Sequence, residues 1–140
     1  MIKPIVLLQL AFAIALTGDA VADPLKIALI EVLTGPQAST GKIYESVVHY
    51  SIDKANAAGG FASQPIQLSV FDNAGSTSVA SDRLKEAIAG GAQIIMQGGG
   101  SAVSAQLSED VRRYNIRNPE KPVLFLNIGA EASELTGAKC

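Results

Sequence analysis

The sequence predicts an α/β fold built on a doubly wound parallel sheet. Short apolar segments rich in Ile, Leu and Val alternate with longer stretches whose apolar residues recur at helical spacing, strand then helix three times and then a strand. The strand segments are near-continuous apolar runs, the pattern of parallel strands covered on both faces. Right-handed crossovers between such strands wind the sheet in both directions.

Residues 25–33 form the first strand, broken by Thr34-Gly35-Pro36. The spacing of Tyr44, Val47, Val48, Ser51, Ile52 and Ala55 predicts a helix over 42–58, stopped by Gly59-Gly60. Residues 65–71 make the second strand and end in Asp72-Asn73. Ser76 or Thr77 caps a second helix with Ala80, Leu84, Ala87 and Ile88 inward, ended by Gly90-Gly91. Residues 93–96 form a third strand, expected to be fully buried, and Gly98-Gly99-Gly100 a tight loop. Ser101 or Ser104 opens the third helix, with Val103, Leu107, Val111 and Tyr114 on one face. A polar turn over 117–122 precedes the fourth strand, 123–126, and Asn127 begins another loop. In a doubly wound sheet, ligands bind beyond the carboxyl ends of the strands. Those ends carry the loops 34–41, 72–76, 97–101 and 127–131.

The N-terminus indicates export. Lys3, the apolar run 5–16 and Ala20-Val21-Ala22 have the layout of a signal peptide over residues 1–22, cleaved after Ala22 so that Asp23 starts the mature chain. The run is shorter than the about 20 residues a permanent membrane helix needs. Removing it takes away Lys3 and Asp19 and leaves the net charge at −2. That balance argues against nucleic acid, which selects basic patches. Arg112, Arg113 and Arg117 read as a solvated helix face. Cys140 is the single cysteine. In an oxidising compartment its expected partner lies beyond residue 140, and the alternative is a free or intermolecular thiol.

Four segments are candidates for chemistry. Residues 35–42 imitate a P-loop, but one residue too many separates the glycines and Ile43 occupies the metal-binding hydroxyl position, so the segment reads as a turn before a helix. Gly98-Gly99-Gly100-Ser101 is more informative. Its glycines let a ligand approach the backbone, and the hydroxyl with the N–H groups of a helix start would receive a carboxylate. An ordinary capped turn explains it equally well. Asn127-Ile128-Gly129-Ala130-Glu131 should lie beside that loop, where its carbonyls and Glu131 could accept from an ammonium; a solvated loop or a cap is the plainer reading. Glu45, His49 and Asp53 share one helical face opposite the apolar stripe and read as solvated charge, with no metal site. The lone His49 sits mid-helix, away from the strand-end loops, so no Ser–His–Asp set forms.

The chain from Asp23 to Cys140 resembles the leucine/isoleucine/valine-binding family of periplasmic solute receptors that serve ABC transporters. The resemblance rests on residues 26–36 (KIALIEVLTGP), 53–61 (DKANAAGGF), 94–101 (IIMQGGGS) and 129–136 (GAEASELT), in that order. It implies a two-lobed, non-catalytic receptor without a cofactor that closes on a small solute and passes it to a membrane permease. Residues 23–140 would be part of its N-terminal lobe. It also implies that Ser101, with backbone N–H groups around Gly100 and Ala102, holds the solute's carboxylate. The Gly129 carbonyl would hold the ammonium. Glu131 stands where the family has a threonine, and Thr40 where an aromatic residue often covers the solute. Relatives take amino acids, amides, urea and aromatic carboxylates. The early disulfide of the family is not possible, because no cysteine lies in the second and third strand-end loops. An extracellular sensor lobe and an exported hydrolase are the rival readings.

Overall fold

The computed structural model describes residues 23–137; the leader expected over 1–22 and Cys140 lie outside the described residues. Four strands, β1 (Lys26–Glu31), β2 (Gln67–Asp72), β3 (Ile94–Gln97) and β4 (Leu124–Asn127), form one parallel sheet in the order β2-β1-β3-β4. Between them run α1 (Ala38–Ala57), α2 (Thr77–Ala89) and α3 (Ser101–Arg117), and a 3-10 turn covers Ser133–Leu135. The chain steps outward from β1 to β2, then back across β1 to β3 and on to β4. Right-handed crossovers therefore put α1 on one face and α2 and α3 on the other.

The alternation of side chains along β1 sorts the core into two layers. Ala28 and Ile30 pack with Ile95, Leu84, Leu107 and Val111 under α2 and α3. Ile27 and Leu29 pack with Val48 and Ile52 of α1. Asn115 ties α3 to the sheet, its amide oxygen accepting from Val123 N–H and its nitrogen donating to the Val123 carbonyl, both at 2.9 Å.

Several expected boundaries shift. The first helix begins at Ala38 rather than at residue 42, so the loop after β1 is short. Gly41 falls inside this helix, where a Cβ would lie 1.9 Å from the Val32 carbonyl oxygen. The helix can press on the end of β1 only without that atom. The predicted stripe is partly wrong: Val48 and Ile52 are buried, but Val47 is 57% exposed and Ser51 is exposed. β3 is not buried on both faces, since Ile94 and Met96 on the α1 side are only partly covered. The cause is the same in each case. α1 covers β1 and β2, and among the described residues no helix lies under β3 and β4 on that face. Ser76 caps α2 as expected, accepting from Val79 N–H at 3.4 Å.

Candidate functional site

The carboxyl ends of β1, β2 and β3 open on a crevice of about 210 Å³ bordered by Gln37, Asn73, Gln97 and the start of α3. Its walls are fixed by buried polar side chains. Asn73 closes an Asx turn, its amide oxygen accepting from Gly75 N–H at 2.8 Å while its nitrogen donates to the Ile30 carbonyl at 3.2 Å. Asp72 accepts from Leu33 and Ala74 N–H at 2.9 and 2.8 Å and from the Thr34 hydroxyl at 2.6 Å, binding the first two loops together. Partial desolvation of Asp72 works against ionisation, but those donors outweigh it and hold the carboxyl below its ordinary value.

The glycine loop after β3 is held from below. Glu31, fully buried at the end of β1, accepts from Gly98 N–H and, at 3.1 Å with either oxygen, from Gly99 N–H. Burial pushes its carboxyl above the usual glutamate range, opposed by the N–H groups of Gly98, Gly99 and Val32. Gln97 packs on the Ser104 hydroxyl. With its amide nitrogen on that hydroxyl, its oxygen accepts from Gly99 and Gly100 N–H at 3.0 and 3.1 Å. The third helix thus starts at Ser101, while Ser104 is an interior partner of Gln97 rather than a helix opener.

Ser101 and the loop after β4 come together. Parallel pairing sets Gln97 beside Asn127, and Ala132 N–H donates to the Ser101 hydroxyl at 3.3 Å. Asn127 shapes the intervening turn by accepting from Gly129 and Ala130 N–H at 3.1 and 2.7 Å and donating to the Ala130 carbonyl at 2.8 Å. Tyr44 wedges between the two loops: a Cβ on Gly129 would lie 1.9 Å from its hydroxyl, and one on Gly98 2.7 Å from its ring. A side chain at either position would force Tyr44 to move.

Ser101, Gly100 and Ala102 all line the crevice, and Gly129 and Glu131 lie on the neighbouring loop. A Cβ on Gly100 would meet nothing within 4 Å, so the backbone faces open space there. No side chain among the described residues caps the start of α3. Its first N–H groups and dipole are left to an incoming anion. The Gly100 N–H is already accepted by Gln97, and the N–H groups of Ser101, Ala102 and Val103 precede the first helical bond, from Ser104 N–H to the Gly100 carbonyl. Glu131 is exposed. His49 and Asp53 are exposed on α1, away from the crevice.

Sequence reasoning missed Glu31, Tyr44, Asn73 and Gln97 as builders of this site. A signal existed for two of them. A carboxylate inside the apolar run 25–33 and an amide closing the run 94–97 both require buried partners.

The profile of the periplasmic binding protein family matches residues 24–140. A Leu/Ile/Val-binding protein homolog 4 from Brucella abortus is 57% identical over 130 residues, which are 93% of this chain and 31% of that protein. A leucine-, isoleucine-, valine-, threonine- and alanine-binding protein from Brucella ovis, solved in a closed conformation, superposes with a TM-score of 0.82 at 60% identity over 85% of this chain and 30% of that one. A branched-chain amino acid transporter substrate-binding protein from Streptococcus pneumoniae, in complex with isoleucine, shares the fold at a TM-score of 0.73 and 19% identity, over 84% of this chain and 32% of that one. The chain thus spans about a third of the length of these relatives. On its sheet order, its strand-end crevice and these matches, the chain belongs to the periplasmic binding protein family.

Proposed function

We propose that residues 23–140 are part of the N-terminal lobe of a periplasmic solute receptor for an ABC importer, exported by the leader 1–22. Its solute is an amino acid or a related small carboxylate or amide. The Brucella relatives, both named for leucine, isoleucine and valine and one also for threonine and alanine, favour the first of these. The observation that carries the reading is the convergence at Ser101, whose hydroxyl meets Ala132 N–H from the next loop at the mouth of an open crevice. The solute's carboxylate sits at the Ser101 hydroxyl and the Ser101 and Ala102 N–H groups, with Gly100 allowing close approach. Its ammonium is held by the Gly129 carbonyl and the Glu131 carboxylate. A second lobe and a membrane permease complete the transport step, so this part of the molecule binds and does not catalyse. Uncovered apolar side chains on α1 and β4, Ile43, Val47 and Leu126 among them, fit a lobe to which further chain adds.

A thermal-shift screen of the full-length parent against leucine, alanine, threonine, amides and aromatic acids tests this. A binder at ~100 times its Kd stabilises the folded state by about 2.7 kcal/mol. Ser101→Ala is expected to weaken that binder about tenfold, the loss that goes with a hydrogen bond to a charged group. Affinity unchanged by Ser101→Ala would remove this residue from the site.

A further inference from the structure

Glu31 is the one charged side chain among the described residues that is fully buried. No cation pairs with it among the described residues. Its partners are instead backbone donors: Gly98 N–H, Gly99 N–H and, at 3.4 Å, its own neighbour Val32 N–H. Successive N–H groups converging on one point form a concavity that binds anions. The Gly98 and Gly99 N–H groups of the turn after β3 converge in this way on the Glu31 carboxylate, and a Cβ on Gly99 would lie 2.5 Å from it, so a side chain there would push the carboxylate aside.

We propose that Glu31 is a built-in anion that fills the nest of the Gly98–Gly99 turn, fixing the loop that presents Ser101 and excluding the solute's carboxylate from those two N–H groups. This rests on the receptor reading above and adds a positioning residue to it. Two carboxylates cannot share one set of donors without strong repulsion. The solute's carboxylate is therefore left the Ser101 hydroxyl and the start of α3, one step along the chain. Glu31 acts only through the loop and does not touch the solute.

The test uses the full-length parent with leucine as the probe ligand. Glu31→Ala frees the Gly98 N–H and leaves the Gly99 N–H to Gln97 alone, and is expected to weaken leucine about tenfold, as removal of a charged hydrogen-bond acceptor does. Formate should restore most of the affinity, whereas formamide, of similar size but neutral, should not. Affinity equal to that of the unchanged protein, or equal rescue by formate and formamide, would overturn the proposal. Glu31→Gln keeps the volume where the alanine variant fails to fold. In it, amide exchange at Gly98 and Gly99 should accelerate together with the loss of leucine affinity, and unchanged exchange with unchanged affinity overturns the proposal equally. If the unchanged parent binds none of the screened solutes, the receptor reading falls instead, and the Gly98 and Gly99 exchange rates still decide whether Glu31 holds the loop.

Discussion

The two faces of the sheet are finished to different degrees. Under α2 and α3, side chains from all three crossing elements interdigitate, and Ala28, Ile30, Ile95 and Leu107 are wholly buried. Under α1, the layer holds Ile27, Leu29, Val48 and Ile52, while Ile43, Val47 and Leu126 remain open beside a groove of about 380 Å³. Both faces carry comparable apolar sequence. What separates them is the number of helices laid over each. The α2–α3 face is closed, and the α1 face leaves apolar side chains uncovered.

The sharpest way to probe that contrast is a paired truncation. Leu107→Ala should cost about 2–5 kcal/mol in urea melts, because it leaves a cavity in a closed layer. Val47→Ala should cost no more than about 0.5 kcal/mol, as an exposed substitution does. Equal costs would mean that the open face is packed in solution. Where further chain or a partner covers α1, the Val47 change should become measurably more expensive.

A smaller effect tests the one place where α1 is pressed hard on the sheet. Gly41→Ala sets a methyl group against the Val32 carbonyl and should destabilise by about 1–3 kcal/mol, the range for overpacking. The usual gain from placing alanine in a helix would be outweighed. A neutral or stabilising result would mean that α1 can lift from β1 freely.

The smallest effects appear on titration, and two carboxylates should move in opposite directions. Burial raises the Glu31 carboxyl, so the folded protein holds its proton more tightly than the unfolded chain. Ionising it therefore costs more in the fold than in the unfolded chain, a cost that the Gly98 and Gly99 N–H groups reduce but do not cancel, so its effect on stability is most favourable below the ordinary glutamate range and declines as pH rises through the folded value. On exposed α3, Arg112 and Arg113 bond Glu109 at 2.8 Å and hold its carboxyl at about 2. That contribution is present above the ordinary range and is lost as pH falls toward about 2, and salt should screen it. Comparing melts of Glu31→Gln and Glu109→Gln across pH separates the two slopes. A Glu31→Gln profile that matches the unchanged protein would place that carboxylate in ordinary surroundings.

Much of this was legible in the sequence because local patterns carry it. The apolar runs 25–33 and 93–96 read as strands from their composition and length, and Ser76 or Thr77 before a helical stripe reads as a cap, which the structure assigns to Ser76. Residues 38–41 read as loop because they add nothing to the helical apolar stripe, whereas the structure starts α1 at Ala38 and presses Gly41 against Val32. Ser104 looked like a helix opener because serine favours such positions, whereas its burial follows from Gln97 reaching it across the loop. Val47 was assigned to the core because periodicity names a face without saying what lies opposite.

The sequence by itself determined the order of strands and helices, the parallel sheet and the loops at which a ligand could meet it. These depend on side-chain periodicity and on the conformational demands of glycine and proline, which act between near neighbours. Only the tertiary structure decided that Glu31 lies under the glycine turn, that Tyr44 joins two loops and that Ser101 meets Ala132. Those contacts join residues 31 and 98, 44 and 129, and 101 and 132. Their meeting depends on sheet order and on how far each helix is pressed onto the strands, and no local pattern encodes either.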